Sequence, residues 1–305
     1  MGVYYLGEVI KRTRESLGMT QEELSEGICT PETLSRIETG KRTPNRANFR
    51  ALMERMGKCG EKYCPHIHAE SYERMEEWER ILRLDQAHRF KDALMELDEF
   101  EEKIDLDDRV NRQAVMRLRA LCEYHLGKID VPEYRERLTQ SLKITRPDWD
   151  GEHLPAGVFT RTECFLFCNI AVSYMYEENL DTALGILRQM QIYFENTRMD
   201  ENEKRVSEGL LMSNLSDCLG RANKNREALE IETEEIRKYL KHHQAGRLSG
   251  TLYNYAYDLE VLKESPEISR EKLVQAYYVA EFVGDDRGKK HIKKHFETRY
   301  GRIPV

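Results

Sequence analysis

The chain has 305 residues, 40% hydrophobic and 34% charged, with a formal net charge of −7. That balance fits a globular body of one large or two ordinary domains. No run of 18 apolar residues exists, so no membrane-spanning helix is expected. The seven cysteines are scattered and odd in number, which suits reduced thiols rather than a disulfide framework. "MGVYYLGEVIKRTRESLG" has neither the apolar core and cleavage site of a secretory signal nor the position-six Ser or Thr of a myristoylation signal. A cytoplasmic protein is therefore expected. Residues 1–60 hold ten Lys/Arg and eight Glu, and the remainder holds 38 basic and 47 acidic side chains. A small basic head on a large acidic body confines any contact with nucleic acid to the head.

In chain order, the head is the most informative stretch: "MTQEELSEGICTPETLSRIETGKRTP". Thr20 and Glu23 have capping-box spacing and open a short predicted helix. Gly27 and Cys29 flank a tight turn. Thr30 as cap and Pro31 at the first position start a second helix, and Gly40 ends it. Leu34 and Ile37 share one face of that helix and are expected to join Leu6, Ile10, Leu17, Leu24 and Ile28 in a core. Glu32, Ser35, Arg36 and Thr39 point the other way. Two short helices around a tight turn, the second with a polar outer face, make a helix-turn-helix unit.

Over roughly residues 5–57 these motifs resemble the Cro/repressor (XRE) type of DNA-binding domain. The resemblance implies that Gln21 anchors a phosphate or touches a base, and that Glu32 and Arg36 read bases. Thr30, Ser35, Lys41 and Arg42 then contact the DNA backbone, and Thr33 completes the expected DNA-binding set. Arg14 and Glu38 match a structural pair that ties the first helix to the recognition helix. The chemistry agrees, since Arg can bind guanine bidentately and Glu can accept from the cytosine amine. A charge excess of two in the head gives weak phosphate affinity. A homodimer on an inverted-repeat site of double-stranded DNA doubles the contacts.

"MGKCGEKYCPHIHAE" (56–70) breaks the helical pattern, and the boundary falls there: residues 1–66 form the DNA-binding domain with its linker, and 67–305 a second domain. Cys59, Cys64, His66 and His68 lie within it, but their spacing is not that of a structural zinc site, and a plain linker is expected. Beyond it the chain is helical throughout, with no strand pattern. In "NIAVSYMYEENLDTALGILRQM" small and apolar residues recur at Ala171, Tyr174, Ala183, Leu187 and Met190, the offsets of a tetratricopeptide helical hairpin. The frame recurs at Leu215, Ser216, Leu219 and Ala228, and again at Ala256 and Leu259. Looser copies lie around Ala93 and Tyr134. The markers Ala93, Tyr134, Ala183, Ala228 and Ala276 are 41, 49, 45 and 48 residues apart. The fold class expected is therefore all-α: a helix-turn-helix head followed by a right-handed superhelix of about five degenerate tetratricopeptide-like repeats.

Three asparagines share one register. Asn169, Asn214 and Asn254 each lie two residues before the small residue of a first helix (Ala171, Ser216, Ala256). A side-chain amide both donates and accepts, so a row of them can hold an extended peptide backbone whatever its sequence. Single asparagines in such positions more often serve local bends. Phe165, Val172, Asp217, Tyr253 and Tyr257 complete the expected peptide-binding set. Among Phe165, Phe167, Tyr174, Tyr176, Tyr253, Tyr255 and Tyr257, most are expected in the core. Cys164 and Cys168 are expected to pack, and His291 and His295 to lie on a solvated basic face.

Head, repeats and asparagine row together resemble the peptide-responsive quorum-sensing regulators of the RRNPP family, and within it the PlcR-like branch. The resemblance implies a cytoplasmic homodimer that binds a short linear signalling peptide in the concave groove of its repeats and thereby changes DNA binding. The second hairpin carries no matching asparagine. An alternative is a scaffold regulator controlled by a protein partner rather than a free peptide. No Walker loop, GxGxxG, GxSxG or HExxH occurs, so neither catalysis nor a metal or other cofactor is expected.

Overall fold

The computed structural model describes residues 3–42, 44, 46–56, 72–156, 159–196, 201–241 and 245–303. Among them are fifteen helices and no strand. The chain divides into two compact units, 1–147 and 148–305. The boundary expected near residue 66, and with it Cys59, Cys64, His66 and His68, lies outside the described residues.

Unit 1 begins with α1 (Val3–Ser16), α2 (Gln21–Ser25), α3 (Pro31–Glu38) and α4 (Arg46–Arg55). The capping box of α2 is complete: the Glu23 amide donates to Thr20 Oγ1 at 3.1 Å, and the Thr20 amide to the Glu23 carboxylate at 2.7 Å. Gly27 turns the chain with φ +69°, a conformation that costs an L side chain free energy. Thr30 then caps α3, accepting from the Thr33 amide at 3.2 Å, with Pro31 in the first turn. Helix α1 crosses α3 closely at Gly7, where a Cβ would stand 1.9 Å from the Ile37 carbonyl oxygen. Only glycine fits there.

Leu24, Leu34, Ile37 and Ile10 are fully buried, and Ile28 packs against them. Leu17 departs from expectation: it is 48% exposed. Helix α1 stops at Ser16 and the chain reverses at Gly18 (φ +66°), which carries Leu17 outward. Met19 packs on the core in its place.

Two hairpins complete unit 1: α5 (Tyr72–Gln86) with α6 (Phe90–Glu101), and α7 (Arg109–His125) with α8 (Val131–Lys143). One continuous core runs from Val9 and Leu52 in the head through Trp78 and Leu97 to Leu118. Unit 2 holds three more hairpins and a final helix. They are α9 (Arg161–Tyr176) with α10 (Leu180–Asn196), α11 (Glu201–Arg221) with α12 (Asn225–Lys241), α13 (Leu248–Val261) with α14 (Pro266–Val283), and α15 (Asp286–Tyr300).

The repeat frame holds in three dimensions. Ala93, Ala183, Ala228 and Ala276 are fully buried and Tyr134 is 1% exposed. In unit 2 the small residues of the first helices, Ala171, Ser216 and Ala256, are buried too. In the last hairpin Ala256 faces Ser269 while Ala276 faces Ser249, each serine donating to the alanine carbonyl, at 3.0 and 2.9 Å. Small side chains at both positions let two helices approach until their larger neighbours interlock. Helices α9, α11 and α13 lie side by side, α11 packing against both neighbours, so each is buried on most of its circumference. Cys164 and Cys168 are buried in α9, as expected. The aromatic expectation needs correction: of the seven, only Phe167 is wholly buried, while Tyr176 and Tyr257 are exposed and the others half-buried. They sit on the helix sides left uncovered between hairpins.

Candidate functional site

The outer face of α3 presents Glu32 and Arg36 to solvent, with Lys41 and Arg42 exposed just beyond its end. Ser35 and Thr33 are half-buried between them. The Thr30 hydroxyl donates to that of Thr33 at 3.2 Å, and the Arg42 guanidinium approaches Thr33 Oγ1 at 3.4 Å. The Arg42 amide donates to the Arg36 carbonyl at 3.0 Å, folding the loop back over the helix end. Hydrogen bonds from its own backbone amide and from Thr30 hold the Glu32 carboxyl below the usual carboxylate range. It is thus an anion, able to accept from a cytosine amine and to repel a phosphate.

Beneath this face the Glu38 carboxylate accepts from Arg14 Nε at 2.7 Å and Arg14 Nη2 at 2.9 Å. It also accepts from Gln21 Nε2 at 2.7 Å. The Arg14–Glu38 pair is structural, as expected. Gln21 uses one N–H of its amide to join α2 to α3 through Glu38, which leaves its second N–H and its carbonyl oxygen for a phosphate or a base.

In unit 2 the three asparagines fall on corresponding positions of α9, α11 and α13. Four residues before each stand Phe165, Leu210 and Gly250; three after each stand Val172, Asp217 and Tyr257. All nine of these flanking and amide side chains are half-buried or exposed, whereas the small residue two positions on is buried in each helix. The stripe therefore lies on the uncovered side of three adjacent helices.

The amides differ in their surroundings. Asn254 has no hydrogen bond among the described residues, and Asn169 is engaged within the protein. Asn214 Nδ2 is buried without a partner, so the expectation of an amide standing in an open groove fails for its nitrogen. Asp217 is paired with Arg221 at 3.1 Å, one turn along.

The last pair of helices overturns a second expectation. His291 is exposed, as expected, but His295 is not. His295 is 17% exposed in its side chain and lies 2.9 Å from Glu260 Oε2, itself 4% exposed. Its Nδ1 is 2.9 Å from the Tyr253 hydroxyl, and His291 Nε2 is 3.0 Å from the same hydroxyl. Arg299 Nε and the Tyr300 hydroxyl also reach Glu260, at 3.1 and 2.7 Å. Burial pushes the Tyr253 phenol up to about 12. Sequence reasoning found Tyr253 but missed Glu260, because His295 and Tyr300 lie 35 and 40 residues from the carboxylate they hold.

Deeper in unit 2 two carboxyls are buried between α11, α12 and α13. Glu232 accepts from the Ser216 hydroxyl at 2.5 Å and is fully buried; desolvation raises it to about 8. Asp258 accepts from Asn225 Nδ2 at 2.7 Å and is raised to about 6, again chiefly by desolvation.

Among the described residues no helix is long and apolar enough to cross a membrane. Residues 10–62 match the helix-turn-helix family HTH_3. No curated protein matches the chain by sequence. Solved structures do match it by fold. PlcR of Bacillus thuringiensis, in complex with the peptide PapR7 and DNA, superposes with a TM-score of 0.72 at 16% identity, covering 95% of this chain and 99% of that one. ComR from S. thermophilus, in complex with DNA and its signalling peptide ComS, gives 0.55 at 16% identity over 95% and 98%. The SHP pheromone receptor Rgg2 of Streptococcus dysgalactiae gives 0.57 at 15% identity over 96% and 99%. Residues 10–62 thus belong to a helix-turn-helix domain of the HTH_3 type, and the chain has the fold of PlcR, ComR and Rgg2.

Proposed function

We propose that this protein is a cytoplasmic, homodimeric, sequence-specific regulator of transcription whose DNA binding is switched by a short linear peptide, and that it acts by binding and not by catalysis. The observation that carries the reading is the register of Asn169, Asn214 and Asn254 on the uncovered side of three adjacent helices. Amides on neighbouring helices can each donate to and accept from peptide groups along an extended chain, and they recognise backbone without demanding a sequence. Phe165, Val172 and Tyr257 flank them with apolar surface that can take side chains. Asn214 Nδ2, a buried donor without a partner, is costly where it stands, and a peptide carbonyl satisfies it only once the side chain turns outward. That PlcR and ComR, with the same fold, are solved with peptide and DNA adds weight. The domain boundary belongs to the same proposal: residues 1–66 bind DNA, and 67–305 bind peptide and hold the dimer together.

The test is in two steps. Duplexes selected from random sequence by the full chain should contain an inverted repeat with half-sites near multiples of ~10 base pairs. Affinity for that operator should then change when peptides concentrated from the medium of the producing cells are added. A selected site that is asymmetric and bound by one copy, or an affinity indifferent to every peptide fraction, contradicts the proposal.

A further inference from the structure

The cavity between α13 and α15 differs in charge from the body that surrounds it. It has a volume of about 350 Å³ and is lined by Tyr253, His291, Lys294, His295, Thr298 and Arg299. Two of these side chains are cations, two more become cations on protonation, and none is acidic. Residues 61–305 as a whole carry 38 basic and 47 acidic side chains, so a cationic pocket here runs against the average.

The carboxylate beneath the pocket offsets the charge of Arg299 but not that of Lys294. Glu260 is 4% exposed, and its oxygens are occupied by His295, Arg299 and Tyr300. Lys294 has no ion pair among the described residues. The hydrogen-bond chain has one consistent direction when both rings are neutral. A carboxylate only accepts, so His295 Nε2 carries a proton; Tyr253 then donates to His295 Nδ1, and its oxygen accepts from His291 Nε2. Tyr253 and His295 are thereby held in place, ring against ring at 87° with centroids 5.4 Å apart. They form a rigid floor. Lys294 and His291 are left at the exposed rim.

The pocket also adjoins the asparagine stripe, because Tyr253 immediately precedes Asn254, and Tyr257 of the stripe stands against His295 at 5.9 Å between centroids. We propose that this pocket is an anion subsite at one end of the peptide groove, taking a single carboxylate of the bound peptide on Lys294, with Arg299 beside it. The inference rests on the peptide reading of the stripe. A lone carboxylate suits the space and the charge. The carboxylate is either the peptide's C-terminus or an Asp or Glu side chain, two sources with the same chemistry.

The test uses the full chain and mixed-sequence heptapeptides made in three forms: free acid, C-terminal amide, and amide lacking Asp and Glu. Affinity selection followed by binding of individual selected peptides reads the preference. Free acids should bind about tenfold more tightly than their amides if the terminus is held, a ratio equivalent to 1.4 kcal/mol. If a side chain is held, the tenfold loss should instead appear between the amides with and without Asp and Glu. Lys294→Gln should reduce either ratio to within about twofold, Lys294→Arg should restore it, and Lys293→Gln, on the neighbouring face of α15, should leave it unchanged. Peptides that bind equally well in all three forms overturn the anion subsite and leave the peptide reading standing. Failure of every form to bind overturns both.

Discussion

Arg14 holds Glu38 with two parallel hydrogen bonds, Nε to Oε1 at 2.7 Å and Nη2 to Oε2 at 2.9 Å, and its third nitrogen donates to the Met19 carbonyl at 2.8 Å. The pair fixes the recognition helix to the first helix and to the turn before α2. Side-chain exposures of 11% and 1% make it a largely buried ion pair. Removing one partner strands the other's charge away from water, at a cost of about 3 kcal/mol. Arg14→Ala and Glu38→Ala should therefore both lower the melting temperature of the full chain and abolish operator binding. Unchanged melting in either variant contradicts the assignment.

The outer face should behave differently. Arg36 is exposed and holds no core together, so Arg36→Ala should leave melting unchanged while costing roughly 1–3 kcal/mol of specific DNA affinity. Lys41→Ala should weaken binding evenly across sequences and lower the salt slope by about one unit. Equal sequence preference in wild type and Arg36→Ala, read by competition between operator variants, removes Arg36 from the base-reading set.

Glu232 gives the fold a pH dependence of definite sign. Its folded value, about 8, lies above the ordinary 4.5, so between those values the folded state holds a proton that the unfolded chain has released. Its contribution is fully present below the ordinary value and fades as pH rises through the folded one. Asp258, raised to about 6, acts in the same direction over a lower window. Glu232→Gln keeps an acceptor for Ser216 without the charge. It should flatten the fall in stability between roughly pH 5 and pH 8 and stabilise the protein at pH 8 by about 1–3 kcal/mol. Denaturant melts at pH 5 and pH 8 read both effects; identical slopes in wild type and variant contradict the buried, protonated carboxyl.

Replacing the stripe amides separates binding from folding. Asn254→Ala should change stability by under about 0.5 kcal/mol, because no partner is lost. Asn214→Ala removes a buried donor that has no acceptor in the free protein, and should be neutral or stabilising. Asn169 is engaged within the protein, so its loss should cost up to about 1 kcal/mol. Each variant should lose roughly 1–3 kcal/mol of peptide affinity, since peptide groups are left unpaired once water is excluded. A large fall in melting temperature with unaltered peptide affinity makes the amides structural.

Local rules made most of the fold legible. The capping box at Thr20, the cap at Thr30 and the turn at Gly27 are short-range features, and each stands as its residues dictate. The repeats were legible through Ala171, Ala183, Ala228 and Ala256, because close helix crossings tolerate few residue types. Leu17 was misread because helical periodicity was continued one residue past the end of α1, and the reversal at Gly18 breaks it. Of the two histidines of α15, His295 was misread for another reason. Their i, i+4 spacing says only that they share a face, and what lies opposite that face, Tyr253 and Glu260, is decided by packing over 35 to 42 residues. The buried nitrogen of Asn214 was equally out of reach, since register reveals the side a residue faces and not its depth.

The most direct measurement is native mass spectrometry of the full-length protein purified from the cells that make it. The account predicts a dimer carrying a non-covalent adduct with the mass of a linear peptide of a few residues, displaced by acid and absent from the Asn214→Ala, Asn254→Ala double variant. A protein that carries no peptide, or whose bound species is a folded protein partner, contradicts it.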